Sequence, residues 1–188
     1  MRDNNTDFSG RFNQKYRSNR NTFGMSVLPV IKQAMKYISS GEALDLGAGN
    51  GRNTTFLISH SFNVTSVDNS KEGLSILEER VKDKSRLKTI LTDVREFKTD
   101  KQYDIVVAIG LLHFFSKEDG KQLIKDIQRW TKIGGVNVLG VRMIQNIRGD
   151  LPYIFGHDEL KKYYKNNHWD IKHYTESGPA FLIAKRSS

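Results

Sequence analysis

The chain has 188 residues, no cysteine, and 30 Lys/Arg against 21 Asp/Glu, a formal net charge of +9. That length suits one domain, since single cores run to about 100 to 200 residues, and the lack of Cys excludes disulfides, thiolate zinc sites and a covalent Cys nucleophile. The charge is uneven, with +5 over residues 1–40, −2 over 41–120 and +6 over 121–188, so the basic flanks are either solvated faces or a grip on an anionic substrate or nucleic acid.

The opening stretch, MRDNNTDFSGRFNQKYRSNRN, is polar and has no apolar core of a signal peptide. No later run approaches the roughly 18 apolar residues of a membrane span. A soluble, cytoplasmic protein without a membrane partner is expected, with residues 1–24 as a polar N-terminal segment or lid and 25–188 as a single domain. Ser26 is placed to cap a helix with Pro29 in its first turn and Val27, Val30, Ile31, Ala34 and Ile38 on one face, closed by Gly41. EALDL then reads as a short buried strand, and a helix begins near Arg52. NVTSVD is a second strand ending at Asp68, followed by a helix with Leu74, Leu77 and Val81 at helical spacing.

LKTILTD is a third strand. YDIVVAIG is a fourth, and its unbroken apolar run suits a parallel strand covered on both faces. Ser116 heads a capping-box pattern, and Leu123, Ile124, Ile127 and Trp130 follow on one helical face before Gly134 and Gly135, which are expected to stop the helix. VNVLGV is a fifth strand; HDELKKYYKNN is a short helix; WDIKHYTE and AFLIAK are two closing strands joined through Ser177, Gly178 and Pro179. Strands alternate with helices through residues 42–141, which predicts an α/β, doubly wound, Rossmann-like three-layer sandwich.

In such a sheet a ligand lies beyond the carboxyl ends of the strands, beside the first strand, where Gly47, Gly49 and Gly51 fall. Asp68, 17 residues past Gly51, is placed to take both hydroxyls of a ribose. Asp45 precedes the first glycine and suits a cationic group. A dinucleotide sets its pyrophosphate against the helix N-terminus, where that carboxylate would repel it. Asp45 therefore argues against NAD and for a ligand carrying an ammonium and a sulfonium, S-adenosylmethionine.

LDLGAGNGRN resembles motif I of the class I S-adenosylmethionine-dependent methyltransferases. That resemblance implies a seven-stranded, mostly parallel sheet with the last strand antiparallel. It assigns cofactor contacts to Asp45, Gly47, Ala48, Gly49, Asn50 and Gly51, to Asp68 and Asn69, to Asp93 and Val94 after strand three, and to Ile109, Gly110 and Leu111 after strand four. Within that class, GNGRN, Lys15 and Tyr16 with Arg20, and LPYIFGHDELKKYY are similar to the tellurite-resistance methyltransferases, which act on chalcogen oxyanions. This chain departs from their pattern in having only SGPA between its last two strands and Thr22 two residues after Arg20.

The resemblance implies an N-terminal segment folded over the pocket, with Tyr16, Arg17 and Arg20 toward a small-molecule substrate. Arg142, at the end of strand five, is a second candidate for orienting an anion, and Tyr153 and Phe155 fall in the loop expected to border the substrate. His113 is the best-placed proton acceptor, with packing beside Phe114 and Phe115 as the competing role. His60, His168 and His173 show no metal-ligand spacing, and no metal is expected. The expected function is methyl transfer to a small anionic or soft nucleophile, of the chalcogen oxyanion or thiol type. The alternatives are an RNA-directed methyltransferase using the basic flanks and a non-catalytic S-adenosylmethionine-binding module.

Overall fold

A computed structural model describes residues 8–143, 151–166 and 168–188. The elements are α1 (Phe8–Ser18), α2 (Pro29–Ala34), β1 (Gly41–Leu46), α3 (Arg52–Ser59), β2 (Phe62–Asp68), α4 (Lys71–Arg80), β3 (Leu87–Leu91), β4 (Tyr103–Ile109), α5 (Lys117–Arg129), β5 (Thr131–Val141), α6 (Glu159–Lys162), β6 (Trp169–Thr175) and β7 (Ala180–Arg186). They form one seven-stranded sheet in the order β3-β2-β1-β4-β5-β7-β6. Strands β1 to β5 pair in parallel, and β7 runs antiparallel to both neighbours.

Side-chain alternation divides the core into two faces. Leu44 and Leu46 of β1 and Val106 and Ala108 of β4 pack with Leu123, Ile124, Ile127 and Trp130 at α5 and with Leu160 of α6. Ala43, Ile105 and Val107 point the other way, onto Val30, Ile31 and Ala34 of α2 and Leu57 of α3. The sheet is therefore the middle of three layers, as the sequence predicts. No helix among the described residues is long and apolar enough to cross a membrane.

Local expectations fail at three places. Ser26 does not cap α2, which starts at Pro29 after an extended Leu28 and has no side-chain cap bond. Proline at the first helical position lacks the N–H that a cap would satisfy. Gly41 opens β1 instead of closing that helix; its φ is +124°, and an added Cβ would stand 2.4 Å from Asp104 Oδ2. Gly134 and Gly135 do not stop α5, which ends at Arg129 because the Tyr103 N–H captures the Trp130 carbonyl at 2.7 Å and β5 begins at once. The glycines lie instead in the register shift between β4 and β5.

The N-terminal segment also forms a helix that its polar composition conceals. Phe8, Phe12 and Tyr16 repeat every fourth residue, so one face of α1 is aromatic. Residues 1–7 lie outside the described residues.

Candidate active site

The carboxyl ends of β1, β2, β4 and β5 open into a cavity of ≈ 1320 Å³, roofed by α1. After β1 the chain turns through Gly47 and Gly49, with φ of +69° and +53°, and Gly51 then stands at the N-cap of α3 with φ +81°. A Cβ on Gly49 would meet the Tyr16 hydroxyl at 2.3 Å, and one on Gly51 would meet Leu77 Cδ1 at 2.2 Å. Glycine is required at 49 for the roof and at 51 for packing on α4.

Asp68 ends β2 facing this loop. Its Oδ2 accepts the Gly49 N–H at 2.8 Å and its Oδ1 accepts the Ser70 N–H at 2.7 Å. Each carboxylate oxygen keeps a further lone pair, so the group is fixed in place and can still accept hydroxyls. Burial raises its pKa, and the two backbone N–H bonds oppose that rise.

Asp45 is placed otherwise. It shares a face with Ala43, so it points under α3 and does not line the cavity; it is 1% exposed. Thr54 Oγ1 donates to its Oδ2 at 2.7 Å and lies 2.8 Å from Ser66 Oγ. Burial pushes its pKa up to about 7, against the Thr54 hydrogen bond.

Of the other sequence-predicted residues, Gly47, Ala48, Gly49, Asn50, Asn69, Asp93, Val94, Ile109, Gly110 and His113 line the cavity, as do Tyr16 and Arg142. Asp93 is gripped by Arg95, whose Nε and Nη2 reach its two oxygens at 2.9 and 2.6 Å. Burial opposes the Asp93 charge, but the Arg95 bonds outweigh it and hold the carboxyl below its ordinary range.

Arg17 and Arg20 do not reach the cavity, because Glu72 and Glu79 on the outer side of α4 hold their guanidinium groups. Tyr153 and Phe155 are also not cavity residues. Their rings stack at 4.3 Å inside the core, and the Tyr153 hydroxyl donates to Glu159 at 2.5 Å. Gly51 stands behind the loop. His157, Asp158 and Glu176 bring potential ligand atoms within 4.8 Å at the surface beside α6. Glu176 Oε1 there already accepts the Asp158 N–H at 2.7 Å.

His113 follows β4 in a 3₁₀ turn and is 3% exposed. Its enclosed Nδ1 has no partner among the described residues. Burial, aided by the Arg142 charge, lowers its pKa to about 4, so the imidazole is neutral at pH 7.

Several lining residues escape sequence reasoning. Asn53, on the first turn of α3, presents a buried Oδ1 with no partner among the described residues. Phe8 and Phe12 of α1, Phe114 and Phe115 after β4, and Phe181 of β7 supply aromatic walls. Only the fourfold spacing in α1 signalled any of these, because the others depend on which strands become neighbours.

The set of acceptors suits an adenosyl ligand bearing an ammonium. Asp68 and Asp93 are acceptors for hydroxyl and amino groups, Val94 and Ile109 give apolar surface, and the orphaned Asn53 Oδ1 lacks a donor.

Comparison with known proteins gives a consistent result. A family model described as "Tellurite resistance protein TehB" matches residues 9–180. The probable S-adenosyl-L-methionine-dependent methyltransferase TehB of Haemophilus influenzae (strain 10810) is 32% identical over 151 residues, covering 78% of this chain and 52% of that protein. This chain thus spans about half the length of the curated relatives it matches. The crystal structure of TehB from Haemophilus influenzae superposes with a TM-score of 0.78 at 26% identity, over 95% of this chain and 67% of the other. The N-methyltransferase NodS from Bradyrhizobium japonicum, solved with S-adenosyl-L-homocysteine, shares the fold with a TM-score of 0.81 at 15% identity, over 97% of this chain and all of the other.

Proposed function

The chain belongs to the TehB tellurite-resistance family, and from that membership we propose that it is an S-adenosylmethionine-dependent methyltransferase acting on a small anionic or soft acceptor, of the chalcogen oxyanion or thiol type. The observation that carries the reading is the glycine turn closed onto Asp68 at the cavity wall, with the Gly49 N–H and the Asp68 carboxylate locked together at 2.8 Å. In this reading Asp68 and Asn69 hold the ribose, Asp93 and Val94 hold the adenine, and Gly47 to Asn50 lie along the methionine portion. Asn53 joins them as acceptor for the ammonium. Asp45 acts from beneath as a brace on α3, through its hydrogen bond from Thr54.

S-adenosylmethionine supplies, when bound, an electrophilic methyl group on a sulfonium that is its own leaving group. The protein therefore has to align an acceptor and exclude water, and alignment can contribute about 7 to 11 kcal/mol. His113 bears on which acceptors are suitable. An imidazole with a pKa near 4 is a weak base at neutral pH, so an acceptor already nucleophilic at pH 7 suits this site better than an alcohol that must be deprotonated. Arg142, at the same end of the cavity, favours an anion.

Calorimetric titration of the full chain with S-adenosylmethionine and, separately, NAD tests the first step. Turnover to S-adenosylhomocysteine with tellurite, selenite or a thiol tests the second. Binding of S-adenosylmethionine with turnover is expected. Binding of NAD instead would overturn the assignment of Asn53 to an ammonium, and S-adenosylmethionine affinity without turnover on any acceptor would favour a non-catalytic binding module.

A further inference from the structure

The half of the cavity beyond the glycine loop is walled by rings more than by cations. Phe8 and Phe12 of α1 meet Phe114 with centroids 5.0 and 5.2 Å apart. Phe114 in turn lies 4.4 Å from the His113 ring, and Phe181 borders the same cavity from β7. A compact inorganic oxyanion is strongly hydrated, and a site that takes it from water must replace that shell with several charged or N–H donors. Here the neighbouring Arg95 is already forked onto Asp93, and Lys117 is paired with Glu159. Of the two other lining guanidinium groups, Arg52 donates its Nη1 to the Phe23 carbonyl at 2.5 Å, and the Arg142 side chain has no hydrogen bond or ion pair among the described residues.

One unpaired guanidinium beside a set of edge and tilted rings matches a different ligand chemistry. Flat apolar bodies gain most from such walls, by area and by ring–ring geometry, while a single arginine fits one carboxylate. We propose that the acceptor is a small aromatic acid carrying a thiol, with its ring against Phe8, Phe12 and Phe114, its carboxylate on Arg142 and its reacting sulfur beside His113. The inference rests on the methyltransferase reading above and narrows the acceptor within it. In the transfer, a lone pair of the deprotonated heteroatom forms the new bond to the methyl carbon. The pair of the broken carbon–sulfur bond returns to the former sulfonium, and one negative and one positive charge disappear together. The proton of the thiol leaves to solvent before that step.

Four probes separate the contributions, each titrated into the full chain saturated with S-adenosylhomocysteine and each then tried as a methyl acceptor. 2-Mercaptobenzoate has ring, thiol and carboxylate; 3-mercaptopropionate lacks the ring; thiophenol lacks the carboxylate; sodium tellurite is inorganic. The expected result is affinity for 2-mercaptobenzoate at least tenfold above 3-mercaptopropionate and tellurite. Phe114→Ala should erase that advantage, and Phe12→Leu, which keeps apolar volume, should reduce it severalfold. Arg142→Gln should weaken 2-mercaptobenzoate about tenfold and leave thiophenol unchanged. Equal affinity for the ringless thiol or for tellurite, or an undiminished ring preference in both Phe variants, would overturn the aromatic acceptor while leaving the methyltransferase reading in place. Failure of S-adenosylhomocysteine itself to bind would overturn both.

Discussion

Asp68 shows how one carboxylate can be fixed by the backbone and still offer lone pairs to a ligand. Asp68→Ala should cost about 1.5 to 3 kcal/mol of cofactor affinity, roughly ten- to hundredfold, if its oxygens also hold the ribose. It should lower thermal stability as well, because the Gly49 and Ser70 N–H groups lose their acceptor; an unchanged affinity in the folded variant would remove Asp68 from the site. Two other buried groups make stability depend on pH with opposite signs. His113 has a folded pKa of about 4 against an ordinary 6.5. Between these values the unfolded chain binds a proton that the folded chain refuses, so the neutral imidazole's contribution is complete above pH 6.5 and is lost as pH falls toward 4. Asp45 is raised to about 7 from 3.8, so the folded chain keeps a proton that the unfolded chain releases, and stability from this group falls as pH rises through that window. The two slopes oppose one another, each worth up to about 3 to 4 kcal/mol across its window. Thermal melts between pH 4.5 and 6.5 should therefore show stability rising more steeply with pH in Asp45→Asn than in the unmodified chain. In His113→Asn the same melts should show it falling; parallel curves for all three proteins would mean that neither shift exists. The sequence points to Asp68 directly through its distance from the glycines. It cannot show which face Asp45 takes, because strand alternation relative to α3 is set only once the helix packs.

At the scale of elements, the loop and the roof are one assembly. Asn50 Nδ2 donates to the carbonyls of Arg20 and Gly24 at 3.1 and 3.3 Å, and Arg80 of α4 reaches the Asn50 carbonyl at 2.8 Å and Asn21 Oδ1 at 2.6 Å. Asn13 Oδ1 accepts from Ser70 Oγ and from the Glu72 N–H. These bonds join α1 and the turn after it to the first residues of α4 and to the glycine turn. Arg80→Ala should cut its bonds to Asn50 and Asn21 and a third, from Arg80 Nη2 to the Arg20 carbonyl at 3.3 Å, and leave the apolar core intact. Faster proteolytic cleavage within residues 8–24 is expected, with a melting temperature lowered by only a few degrees; cleavage at the original rate would show that Arg80 does not hold the roof. By contrast, Gly51→Ala attacks packing directly, since its Cβ would meet Leu77 Cδ1 at 2.2 Å and Cβ at 2.9 Å, with φ +81° already unfavourable for alanine. A loss of about 2 kcal/mol or more, read by chemical denaturation, is expected from strain and overpacking combined. None of these ties is legible locally. The polar run before Phe23 reads as a tail by composition, and only Phe8, Phe12 and Tyr16 at fourfold spacing betray a helix with something to cover. Tyr153 and Phe155 err the other way: a loop position suggests a rim, while their stacking belongs to the core.

Across the whole molecule, the parts that the sequence reveals are those written in apolar runs. Tyr103 to Ile109 is buried along almost its whole length because helices cover both faces, and the chain shows this as an unbroken apolar string. The insertion of β7 between β5 and β6 leaves no comparable trace, since an antiparallel strand at that place is fixed by pairing with residues some 45 positions earlier. The division between roof and body follows the same logic. Both core faces are built from residues after Val27, whereas α1 adds only Tyr16 to the buried apolar residues. The ion pairs that tie it down, Arg17–Glu72 and Arg20–Glu79, are solvent-exposed and contribute little to stability. Removing residues 1–24 should then leave a cooperatively folding body, its melting temperature lowered by several degrees. Its affinity for S-adenosylmethionine should fall at least tenfold, because the wall formed by Phe8, Phe12 and Tyr16 would be open to water. Circular dichroism melts and calorimetry on the truncated chain separate the outcomes. Retained affinity would make the segment an ornament of the fold, and loss of cooperative unfolding would make it part of the domain instead of its lid.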